Sequence, residues 1–117
     1  MAVYSGLYIR DEISAVTVDD RLLSPRHDLA RHADNLGWRD ATGALQLALA
    51  ILAHHCGGDV QRALDFHEAY CDCVVIYLPS VWLLESEEVE AALLALETLG
   101  GAKLMDAEAC LASVSSG

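Results

Sequence analysis

From Ala44 to Ala53 the chain becomes apolar on nearly every side once it is wound into a helix. Ala44, Leu45, Ala48, Leu49, Ile51 and Leu52 make a broad face, and Leu47 to Ala53 is an unbroken apolar run. A helix that is hydrophobic all round is stable only when other elements cover it. Thr42 reads as its N-cap and Gly57-Gly58 as its stop. Seven consecutive apolar residues fall far short of the roughly 20 that a membrane span needs. The segment is therefore the central core helix of a water-soluble fold, and the rest of the chain must supply its cover.

The N-terminal third supplies strands. Val3 to Ile9 is rich in β-formers, Ala15 to Val18 is a second run, and Asp19-Asp20 makes a turn into a short third strand at Arg21-Leu22-Leu23. Residues 26–40 are mostly polar and read as a short helical turn and a loop. After the central helix, Asp59 caps a second helix. Its apolar stripe of Ala63, Leu64, Tyr70, Cys71, Val74, Val75 and Leu78 stays in helical phase up to Pro79. Val74 to Tyr77 would otherwise suit a buried strand. Val81 to Leu84 is a short extended piece, and Ser86 caps a third helix with a stripe of Val89, Ala92, Leu93, Leu96 and Leu99, ending at Gly100-Gly101. A last short helix is expected from Met105 to Ala112. These elements predict an α+β domain over residues 1–117, a small N-terminal antiparallel sheet packed against about three helices.

Charge is unevenly spread over this outline. The net charge is -11; residues 1–58 carry seven acids and five Arg, whereas residues 59–117 carry eleven acids and two bases. Residues 63–102 contain no Lys or Arg but eight carboxylates: Asp65, Glu68, Asp72, Glu85, Glu87, Glu88, Glu90 and Glu97. Asp65, Glu68 and Asp72 share one face of the second helix, about 10 Å long. Glu87, Glu90 and Glu97 share a face of the third. A merely solvated face would intersperse Lys or Arg at helical spacing. The acidic field argues against DNA or an anionic membrane as direct ligand and favours a basic protein surface.

Other chemistry is weaker in the sequence. His67 and Cys71 stand four residues apart, a spacing that can place two ligands on one metal, with His54-His55-Cys56 and Cys73 nearby. Cys71-Asp72-Cys73 has too few residues between its thiols for a zinc knuckle, and Cys71 belongs to the buried stripe. No phosphate-binding Gly-rich loop, nucleophile elbow or His-Glu-x-x-His pattern is present, so no catalytic residue and no cofactor is expected. Trp38, Tyr70 and Trp82 read as core. No basic and apolar leader opens the chain, which gives a cytoplasmic expectation with reduced, packed cysteines.

Gly43 to Leu52, Ala63-Leu64, Tyr70, Val74-Val75, Leu78-Pro79 and Trp82-Leu83, together with Tyr4, Gly6 and Arg26 to Leu29, resemble a family of small uncharacterised proteins from bacteria, haloarchaea and their phages, domain of unknown function six-one-six-six. This chain departs from that family at Arg39 to Thr42, where the family is Gly-rich, and at Cys71-Asp72-Cys73, where it tends to carry a Lys. The resemblance implies the same fold outline and a mobile-element association, and no activity. In size and charge the chain is also similar to acidic anti-CRISPR proteins that imitate DNA. The expected function is a non-catalytic acidic protein that docks Asp65, Glu68, Asp72, Glu87, Glu90 and Glu97 on a basic nucleic-acid-binding surface, such as a CRISPR effector subunit. The alternative is a small zinc-binding or enzymatic domain using His67 and Cys71.

Overall fold

A computed structural model describes residues 2–9 and 12–98. Strands β1 (Val3–Ile9), β2 (Glu12–Val18) and β3 (Arg21–Leu22) are followed by helices α1 (Ala41–Cys56) and α2 (Val60–Cys73), strand β4 (Val81–Glu85) and helix α3 (Ser86–Thr98). The sheet is antiparallel with order β3-β2-β1-β4. An α+β fold with three helices and an N-terminal sheet is therefore what the chain forms, and the 81–85 piece completes the sheet as a fourth strand beside β1. The helix anticipated at Met105 to Ala112 lies outside the described residues.

β2 and β3 are joined by the two-residue turn Asp19-Asp20, both with left-handed backbone (φ 50° and 68°). That conformation matches the twist of the flanking strands, and Asp tolerates it better than most residues. Asp19 also ties the turn to the neighbouring strand, its carboxylate accepting the Val3 N–H at 2.9 Å.

One face of the sheet is covered by helices. Tyr4, Gly6, Val16, Val18, Trp82 and Leu84 point inward and are buried, whereas Leu7, Val81 and Leu83 on the other face are exposed. All of Leu47 to Ala53 is buried, so α1 is the central helix that its composition demands. Trp38 packs edge-on between Tyr8 (4.5 Å) and Trp82 (5.6 Å), and its indole N–H donates to the Pro79 carbonyl at 3.0 Å. The three aromatic residues Trp38, Tyr70 and Trp82 are all core.

Two close approaches need glycine. A Cβ on Gly43, in the first turn of α1, would sit 2.0 Å from the Gly37 carbonyl oxygen. A Cβ on Gly6 would sit 2.4 Å from the indole nitrogen of its cross-strand neighbour Trp82. Overpacking a buried site of this kind costs roughly 1–3 kcal/mol. Gly6→Ala should therefore destabilise the protein by about 2 kcal/mol in urea unfolding, with an unchanged circular dichroism spectrum below the transition.

Three boundaries differ from expectation. Helix α1 starts at Ala41, with Asp40 and not Thr42 at the cap position, and the Asp40 side chain makes no capping bond. The entry is set by tertiary contact instead, through Gly37 against Gly43 and the anchored Trp38. Helix α2 ends at Cys73 and does not run on to Leu78; residues Val75–Tyr77 form a 3-10 turn, not a strand. Val74, Val75 and Ile76 are β-branched and disfavour continuation, and Leu78 must be extended ahead of Pro79 (ψ 135°). Ser86 is the first residue of α3, not its cap. Its N–H completes the sheet by donating to the Ala2 carbonyl, and the Glu88 carboxylate accepts the Glu85 N–H at 3.1 Å, as the second half of a capping box does.

Candidate acidic interface

Asp59 caps α2 with a side-chain bond from the Arg62 N–H, and the helix then buries Ala63, His67, Tyr70, Cys71 and Cys73. Helical geometry turns the opposite side outward, so Asp65, Glu68 and Asp72 are all exposed. Asp65 accepts a hydrogen bond from the Gln61 amide at 2.8 Å. None of the three forms an ion pair among the described residues. Glu87, in the first turn of α3, is likewise exposed and unpaired there.

Glu90 and Glu97 have a different fate. Arg62, one residue before the base-free stretch, reaches across to α3 and clamps both. Its Nε and Nη2 bond Glu97 at 3.0 and 2.7 Å, and its Nη1 and Nη2 bond Glu90 at 3.2 and 2.9 Å. His55 adds a third contact, Nε2 to Glu90 Oε1 at 2.6 Å. Hydrogen bonding from Arg62, assisted by His55 and opposed by burial, pulls the Glu90 carboxyl down to about 2. Of the six acids expected to form an interface, the structure therefore leaves four as open charges and makes two part of an α2–α3 clasp.

The clasp has a pH signature. Because the folded Glu90 pKa lies below the ordinary value near 4.5, its stabilisation is present above that value and is lost as pH falls towards 2. Breaking a fully buried pair costs 3–5 kcal/mol, but these carboxylates are about one-third exposed (36% and 34%), which screens them. Arg62→Met should cost about 1–2 kcal/mol at neutral pH. The gap between variant and wild type should narrow as urea midpoints are measured from pH 5 down to pH 3.

The metal alternative meets a different geometry. Both ring nitrogens of His67 are engaged, Nδ1 with the Leu64 carbonyl at 2.8 Å and Nε2 with His32 Nε2 at 3.0 Å. Since Nδ1 donates to the carbonyl, Nε2 of the neutral ring accepts from His32. Burial, followed by the neighbouring His67, holds the His32 pKa below its usual value. Burial likewise pushes the Cys71 thiol up to about 11, away from the thiolate that metal or nucleophilic chemistry needs. His54 and His55 diverge, to Tyr4 and Glu90. Among the described residues no three His, Cys, Asp or Glu side chains converge as a metal site.

The residue that sequence reading passed over is Gln46. It is wholly buried on α1, and its amide satisfies four backbone groups of the 25–33 loop. Oε1 accepts from the N–H groups of His32 (2.6 Å) and Ala33 (3.1 Å), and Nε2 donates to the carbonyls of Pro25 (2.6 Å) and Ala30 (3.0 Å). A lone amide inside an otherwise apolar helix was the signal available for it.

Residues 4–95 match the model of a family of unknown function, DUF6166. The chain belongs to that family. The match takes in all of the sheet but Val3, together with α1, α2 and most of α3, so Asp65, Glu68, Asp72, Glu87 and Glu90 lie inside it and Glu97 outside. No curated protein and no solved structure matches the chain. No helix among the described residues is long and apolar enough to cross a membrane.

Proposed function

We propose that this DUF6166 protein is a non-catalytic binding protein that presents the acidic face of α2 to a cationic surface of another protein. The observation that carries this reading is the contrast between two sets of carboxylates. Asp28, Asp34, Glu90 and Glu97 each have a cation at hand. Asp65, Glu68 and Asp72 stand together on one exposed helical face with none. A rigid helix fixes their spacing, which favours a partner whose charges are also fixed, such as a basic cleft built for nucleic acid. An inhibitor of the anti-CRISPR or DNA-mimic type, acting on a CRISPR effector subunit, is the form of this function that fits a small chain of net charge -11.

The engaged nitrogens of His67 and the buried Cys71 thiol support a non-catalytic role over the zinc or enzymatic alternative. The test is capture of partners from host extract on immobilised protein at about 0.1 M and about 1 M salt, where the screening length falls from about 10 to 3 Å. Partners held by the acidic face should be retained at low salt and released at high salt. Retention that is equal at both concentrations would overturn the proposal.

A further inference from the structure

A recess lined by two Arg residues lies at the other end of the charge map. A cavity of about 310 Å³ opens where β3 and the segment after it pass over α1. Its apolar walls are Val18, Leu23 and Ala50, and its polar lining is Arg21, Ser24, Arg26 and His54; the Leu22 side chain, paired with Thr17, turns to the outer face. The whole chain has only seven Lys and Arg residues, yet two line this cavity, and no carboxylate does.

Pairing of Arg21 with Val18 puts it on the helix side of the sheet, where it makes no ion pair or hydrogen bond among the described residues. Arg26 is oriented by a two-pronged bond to Asp28, at 2.9 Å for each prong, on a left-handed backbone (φ 58°) that is costly for a long side chain. The third polar group is prepared by the core. His54 Nδ1 lies 2.9 Å from the buried Tyr4 hydroxyl, a contact that holds the ring against the core. Two guanidinium groups and an imidazole thus line one recess beside an apolar wall, at the lower end of the usual ligand-pocket size; Arg26 is already paired with Asp28, which leaves Arg21 as the cation unpaired among the described residues.

We propose that this cavity binds a small organic anion, with its carboxylate or phosphate head at Arg21, Arg26 and His54 and its apolar body against Val18, Leu23 and Ala50. The acidic α2 face shares no residue with the cavity, so failure of either reading leaves the other standing. An isolated inorganic anion would gain the donors but forgo the wall, and would work against the field of a protein of net charge -11.

The experiment is an amide NMR titration with sodium hexanoate, phenyl phosphate, inorganic phosphate and hexanol. Hexanoate or phenyl phosphate should shift the Leu23, Ser24 and His54 signals saturably, at least about tenfold more tightly than hexanol or inorganic phosphate, a margin of about 1.4 kcal/mol. Which of the two anions binds more tightly identifies the head group. Arg21→Ala should weaken binding about tenfold. Arg31→Ala, which removes the same charge outside the cavity, should leave binding unchanged. Absence of saturation by both organic anions up to about 10 mM, equal binding of hexanol, or equal loss in the two Arg variants would each overturn the proposal.

Discussion

Gln46→Leu should lower stability by about 3–4 kcal/mol, with a fall of about 15 °C in Tm for a domain of this size. Leucine fills nearly the same space on α1, so the effect is not a cavity. It comes from the loop: the His32 and Ala33 N–H groups and the Pro25 and Ala30 carbonyls lose their partners together. An unsatisfied buried backbone group costs about 1–3 kcal/mol, and partial rehydration of a surface loop brings the total for the four down to the low end of their sum. Gln46→Glu separates the two halves of the interaction. A carboxylate can still accept from His32 and Ala33 but cannot donate to Pro25 and Ala30. At neutral pH it should be at least as unstable as the leucine variant, because a buried carboxylate oxygen would face the Pro25 and Ala30 carbonyls, and it should recover as the pH falls and the acid is protonated. Amide exchange at His32 and Ala33 should accelerate most in the leucine variant, because those two donors are the ones it releases.

Gln46 also shows which parts of this protein are legible in its sequence. Periodicity finds α1, the stripe of α2 and the strands, because burial of each depends on spacing within a few residues. It reads Gln46 as one polar interruption, since its four partners lie 13 to 21 residues away. The charge count fails in the same way. Residues 63–102 do lack bases, but Arg62 at their border pairs with Glu90 and Glu97, 28 and 35 residues ahead. Distance along the chain hides compensation that the packing of α2 on α3 creates. The ends of α1 and α2 moved because tertiary anchors, Gly37 on Gly43 and the extended residue before Pro79, outweigh local capping preferences. What survives is the surface that no long-range partner claims: Asp65, Glu68 and Asp72 on α2, with Glu87 on α3.

That remnant gives the second large effect. Replacing Asp65, Glu68 and Asp72 together by Lys should weaken binding to a cationic partner at least about 100-fold, or about 2.8 kcal/mol, because attraction becomes like-charge juxtaposition. Folding should be almost untouched, since all three residues are exposed and the only side-chain bond among them is that of Asp65 to Gln61. Long-range steering should also be lost, lowering the association rate more at low salt than at high salt. A second triple variant, Asp28, Asp34 and Asp40 to Lys, adds the same charge in the N-terminal half of the chain; because it also breaks the Arg26–Asp28 and Arg31–Asp34 pairs, its folding is checked by urea unfolding before binding is compared.

The most direct measurement is the dissociation constant of the partner retained at low salt, determined for wild type and both triple variants across a salt series. Reversal at Asp65, Glu68 and Asp72 should abolish most of the affinity and flatten its salt dependence, while reversal at Asp28, Asp34 and Asp40 should do neither. Equal affinity of wild type and the α2 variant, or equal losses in the two variants, would contradict the proposed role of the α2 face.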